Sequence, residues 1–201
     1  MSARLVVLAS GSGTTLQAVL DATSDTGFGA RVVAVGTDRF GTRAQQRAEG
    51  AGIPSWTVRL EDAPDRPTFD ARTAEAIAAA EPDLVVLAGY MKVLGPAVVG
   101  RFRLVNTHPS LLPAFPGAHA VREALAYGVR VSGCTVHIVD EGIDTGPVLA
   151  QVAVPVEPGD TEQSLRERIQ TAERGLYVET IRQLVHEPPV AAGHEPPEEP
   201  A

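Results

Sequence analysis

Two stretches of five residues, Leu5-Val-Val-Leu-Ala9 and Leu84-Val-Val-Leu-Ala88, contain no polar side chain. A strand with one face in water alternates apolar and polar residues. An unbroken apolar run instead belongs to a strand covered on both faces, as in a parallel sheet flanked by helices. Both runs are also far too short for a membrane span, which needs roughly 20 apolar residues. Strand patterns at Leu5–Ser10, Arg31–Thr37, Ser55–Val58, Leu84–Ala88 and Arg103–Thr107 alternate with helical patterns at Thr14–Ala22, Gly41–Ala51 and Pro67–Ala80. This rhythm predicts an α/β fold with a doubly wound, mostly parallel sheet.

The pattern changes after Asn106. A proline-rich loop, His108-Pro-Ser-Leu-Leu-Pro-Ala-Phe-Pro-Gly117, leads to a helix over Ala118–Tyr127, then to strands at Ser132–Val139 and Val148–Pro155. The short link Asp140–Pro147 predicts that these two strands pair antiparallel, because a parallel crossover needs about a dozen residues. A long helix over roughly Thr161–Val185 closes a single domain spanning residues 1–186. Residues 187–201 hold five prolines and four glutamates without Lys or Arg, and are expected to be disordered.

The chain of 201 residues carries 17 Lys+Arg against 25 Asp+Glu, a formal charge of −8. The tail supplies half of that excess. An acidic surface argues against nucleic acid as a partner, since phosphate backbones are held by clustered Lys and Arg. The single cysteine, Cys134, excludes an intrachain disulfide and any Cys-based zinc motif, and fits a cytoplasmic protein. His108, His119, His137 and Asp144 lack metal-ligand spacing, so no metal is expected. No segment reads as a membrane anchor.

Three segments carry chemistry. Ser10-Gly-Ser-Gly-Thr-Thr15 follows the first strand and opens a helix, whose free N–H groups and partial positive charge suit a phosphate monoester. It matches neither the dinucleotide nor the P-loop pattern. Asn106 and His108 stand two apart at the carboxyl end of the fifth strand, so they share a face where open α/β sheets bind ligands. An amide donor beside an imidazole suits a carbonyl oxygen that gains charge. Asp144, in the turn Asp140–Pro147, is the natural partner for a histidine. On the sixth strand Cys134, Val136 and Ile138 read as core. Thr135 and His137 fit either a cleft or a solvated face.

Asn106-Thr-His-Pro-Ser-Leu-Leu-Pro-Ala-Phe-Pro-Gly117, with His119 and the distant Asp144-Thr-Gly-Pro147, resembles the signature of the folate-dependent formyltransferases. The likeness spans roughly residues 4–186. It implies transfer of a formyl group from 10-formyltetrahydrofolate, the cosubstrate, to the amine of glycinamide ribonucleotide in de novo purine synthesis, with no metal. It implies Asn106, His108 and Asp144 as catalytic residues. It places Gly13, Thr14, Thr15, Gln170 and Glu173 on the ribonucleotide. It places Arg66, Met91, Lys92, Val93, Leu94, Asn106, Asp140, Glu141 and Asp144 on the folate. Thr14-Thr15 stands where the family commonly has Ser-Asn, Lys92 where arginine is common, and Ala114 where a basic residue is frequent. The implied partners are small molecules, and the implied assembly is a monomer or homodimer. Two other readings are a formyltetrahydrofolate deformylase, which usually carries an extra N-terminal domain, and a non-catalytic nucleotide-binding module.

Overall fold

A computed structural model describes residues 2–186, so the expected disordered tail lies outside the described residues. Seven strands form one sheet: β1 (Ala3–Ala9), β2 (Ala30–Thr37), β3 (Ser55–Thr57), β4 (Leu84–Leu87), β5 (Leu104–His108), β6 (Val131–Ile138) and β7 (Val148–Pro155). Their order is β3-β2-β1-β4-β5-β6-β7. The first five strands run parallel. Antiparallel pairing covers more than the expected β6–β7 hairpin, because β6 also runs against β5. The helices are α1 (Thr14–Thr23), α2 (Arg43–Gly50), α3 (Arg66–Ala78), α4 (Pro96–Val99), α5 (Ala120–Tyr127) and α6 (Glu162–His186). The four-residue α4 has no apolar periodicity by which the sequence could announce it.

The apolar runs behave as their composition requires. Leu5, Val7 and Val86 pack with Leu16 of α1 and Tyr177 and Ile181 of α6 on one face of the sheet. Val6, Leu8, Val85 and Leu87 pack with Ile77 of α3 on the other. Cys134 is fully buried in a third cluster with Val121, Val154, Leu165 and Ile169, and burial pushes its thiol up to about 12. The helix starts follow local chemistry. Thr42 and Gln45 form a capping box on α2, Asp65 accepts from the Thr68 N–H ahead of α3 with Pro67 in its first turn, and Thr161 and Ser164 cap α6 reciprocally.

The chain leaves β1 to build β2 and β3 on one side, and β4 then returns to the other side of β1. The carboxyl ends of β1, β4 and β5 therefore lie side by side at a topological switch point, where this architecture opens a crevice. Tyr177 secures that edge. Its hydroxyl lies 2.9 Å from the Leu87 carbonyl and 2.8 Å from the Val105 carbonyl, so one donated hydrogen serves two acceptors in a fully buried position. Tyr177→Phe leaves both oxygens without it and is expected to cost about 1–3 kcal/mol. Urea unfolding tests this; an unchanged midpoint would show that the strand ends do not rely on that hydroxyl.

Candidate active site

The crevice is a cleft of ≈ 590 Å³. One end is the loop Ser10–Thr15. Gly13 takes a φ of +66°, and a Cβ there would stand 2.8 Å from the Ala44 Cα, so the turn and the close approach of α2 both require glycine. No side chain caps α1, which leaves its first N–H groups free for an anion. Ser10 accepts from the Met91 N–H at 2.8 Å and ties this loop to the one after β4. The other end is lined by Met91, Lys92, Val93, Leu94, Asp140 and Ile143. Met91, Val93 and Ile143 are more than half exposed, an apolar rim that is costly in water and suited to a flat ring system.

Asn106, His108 and Asp144 stand between the two ends. Both nitrogens of the buried His108 ring face acceptors. Nε2–H donates to the Phe115 carbonyl at 2.8 Å, and Nδ1 lies 3.2 Å from Asp144 Oδ2. A ring held between a carbonyl and a carboxylate satisfies both only with hydrogen on each nitrogen, an arrangement that suits an imidazolium. Asp144 Oδ2 also accepts from the Gly117 N–H at 2.8 Å. Burial pushes the Asp144 carboxyl up, but the hydrogen bonds and charges around it, the Gly117 N–H and His108 among them, outweigh it and hold it below the usual carboxylate range. The two residues that grip His108 both stand in left-handed backbone, Phe115 at φ +53° and Asp144 at φ +56°. Strain of this kind, about 1–2 kcal/mol per residue, persists where surrounding contacts determine it. The contacts here are visible. Thr135 of β6 donates to the Ser110 carbonyl and accepts from the Leu112 N–H and from Gln151, which clamps the 108–117 loop onto the sheet.

Of the residues expected from sequence, Asn106, His108, Asp144, Gly13, Thr14, Thr15, Gln170, Glu173, Met91, Lys92, Val93, Leu94 and Asp140 line the cleft. Arg66 and Glu141 do not. Arg66 lies along α3, paired with the buried Asp70 at 3.3 Å and stacked over Phe69. Lys92 is turned towards the buried Asp38, with Nζ 3.6 Å away. The Thr15 hydroxyl donates to Glu173 Oε1 at 3.2 Å, so it meets a carboxylate on α6 rather than standing free for phosphate. Sequence reasoning missed Arg166, which lines the cleft one turn before Gln170; its signal is the spacing Arg166, Gln170, Glu173 on one face of α6. His137, left open between two faces, is 2% exposed and lies against Asn106 and Asp144. Among the described residues no group of three or more His, Cys, Asp or Glu is placed to hold a metal ion, and no helix is long and apolar enough to cross a membrane.

Burial raises the Glu173 carboxyl above its ordinary value, against the opposing Thr15 hydrogen bond and Arg174 charge. The stability linked to this group is therefore full below the ordinary glutamate range and is lost as pH rises through the raised value. Glu173→Gln keeps an acceptor for Thr15 and removes the charge. It is expected to raise Tm at about pH 7 and to give a smaller gain at about pH 4. Thermal unfolding at the two pH values checks this; a gain of equal size at both would contradict it.

The chain matches the formyl transferase family over residues 3–181. It is 56% identical over 184 residues to a phosphoribosylglycinamide formyltransferase of Mycobacterium tuberculosis, covering 90% of this chain and 85% of that protein. To the phosphoribosylglycinamide formyltransferase of Escherichia coli it is 41% identical over 175 residues, 86% of this chain and 82% of that one. Among solved structures, glycinamide ribonucleotide transformylase 1 from Symbiobacterium toebii is similar with a TM-score of 0.89 and 46% identity, over 92% of this chain and 88% of that one.

Proposed function

The chain belongs to the formyl transferase family, and on that premise we propose how its own residues perform the reaction of its relatives. It moves the formyl group of 10-formyltetrahydrofolate to the amine of glycinamide ribonucleotide, a step of de novo purine synthesis. The water-consuming and non-catalytic readings are not favoured, because these high-identity relatives are named as transferases. The observation that carries the residue assignment is the Asn106–His108–Asp144 group set between an uncapped helix end and an apolar rim in one cleft.

The two ends suit two different ligands. The free N–H groups at Gly13, Thr14 and Thr15 hold the substrate phosphate, and Gln170 and Glu173 reach the ribose. Thr15 acts on Glu173, fixing the carboxylate that accepts from the sugar hydroxyls. Met91–Leu94 and the 140–144 turn hold the folate ring, with Lys92 beside it. Bound folate supplies an activated formyl group; the remaining work falls to the chain. Asn106 Nδ2–H donates to the formyl oxygen as negative charge grows there. The His108 imidazolium stabilises that charge; passing its proton to the departing folate nitrogen requires Nε2–H to leave the Phe115 carbonyl, and the proton lost by the attacking amine restores the ring. Asp144 keeps the imidazolium charged and oriented. No side chain forms a covalent link to substrate, and Cys134, buried in its cluster, takes no part. The lone buried cysteine supports a cytoplasmic setting.

Losing an oxyanion donor costs about 10²–10³ in kcat, and losing acid–base help about 10²–10⁴. Asn106→Ala, His108→Ala and Asp144→Ala are therefore each expected to lower kcat at least about 10²-fold by steady-state assay. Near-normal turnover in any one of them would contradict the role given to that residue.

A further inference from the structure

His137 stands directly across the sheet from Asn106, its antiparallel partner in the β5–β6 register. Its Nδ1 lies 2.9 Å from the Ile138 carbonyl. A carbonyl oxygen only accepts, so Nδ1 carries a hydrogen in either charge state of the ring. The open question is Nε2, which lies 3.2 Å from Asn106 Nδ2 and 3.5 Å from Asp144 Oδ1. It cannot serve both. A bare Nε2 accepts from the Asn106 amide; a protonated Nε2 donates to Asp144 and then opposes the Asn106 N–H, donor against donor.

Two facts decide between these states. The shorter distance is the one to Asn106, and 3.5 Å is at the limit of a hydrogen bond. Asp144 is also already served on Oδ2, by the Gly117 N–H and by His108.

We propose that His137 is a positioning residue: neutral, with its hydrogen on Nδ1, it fixes the Asn106 amide with nitrogen rather than oxygen as the group that serves the formyl oxygen. One Nδ2–H is bound by His137 Nε2. The second remains for the cleft that Asn106 lines. Were the amide turned over, its carbonyl oxygen would take that place and repel the charge it should stabilise. The Asn106 side chain has no other hydrogen-bond partner among the described residues, so its orientation depends on this ring.

The inference rests on the reading of Asn106 as the donor, and the test separates the two. His137→Leu removes the acceptor at similar volume. His137→Gln restores an acceptor that does not take up a proton. His137→Leu is expected to lower kcat towards the roughly 10²–10³-fold loss of removing the donor itself, with the KM values of both substrates little changed. His137→Gln should recover most of that loss. In an Asn106→Ala background, His137→Leu should slow the enzyme no further. Full turnover by His137→Leu, no recovery by His137→Gln, or an undiminished effect in the Asn106→Ala background would each overturn the inference. Full turnover by Asn106→Ala alone would remove the underlying reading and the inference with it. Side-chain ¹⁵N spectra of the unaltered protein give a check that no variant's folding affects: Nδ1 protonated and Nε2 bare at the pH of activity is expected, and hydrogen on Nε2 would overturn the proposal.

Discussion

The Asp144 carboxylate is the contact on which the site depends. It joins β5, through His108, to the proline-rich loop, through the Gly117 N–H, and it lies beside His137 of β6. A buried carboxylate without partners would cost several kcal/mol and take up a proton. With these partners it stays charged, and its charge makes the doubly protonated His108 ring tenable in a nearly closed environment. The positive φ of Asp144 and Phe115 follows from the same requirement, since both oxygen acceptors must turn inwards onto one ring. Local backbone strain is offset here by charge-assisted hydrogen bonds.

The rest of the fold positions this contact. Parallel strands β1, β4 and β5 bring three loops to one edge, and the antiparallel β6 brings a fourth element across from Asn106. β6, hydrogen-bonded along β5, supplies His137 and Thr135 there and so supports the strand that carries Asn106 and His108 from the side. Support from above comes from the 108–117 loop, clamped by Thr135 and Gln151.

Much of this was legible in the sequence for physical reasons. Unbroken apolar runs specify strands covered on both faces, and Leu5–Ala9 and Leu84–Leu87 are such strands. The spacing of Asn106 and His108 places them on one face whatever else the chain does. The eight residues between the last two strand patterns were enough to foresee the β6–β7 pairing. The missing parts depend on distant neighbours. Whether His137 meets solvent or a cleft depends on which strand lies beside β6, and alternation along β6 holds no such information. The Thr15 hydroxyl finds Glu173 across 158 positions, which no local pattern reveals. Arg66 is drawn aside by Asp70, and Lys92, though it lines the cleft, pairs with Asp38; the burial of both carboxylates appears only with the fold.

The central claim is a transfer between two small molecules rather than a hydrolysis. It is tested most directly by following tetrahydrofolate, formate and formylated ribonucleotide together while the intact protein acts on 10-formyltetrahydrofolate. The account predicts that tetrahydrofolate appears only when glycinamide ribonucleotide is present, in equal amount to the formylated product and without formate. Tetrahydrofolate and formate released at the same rate with and without the ribonucleotide would contradict it.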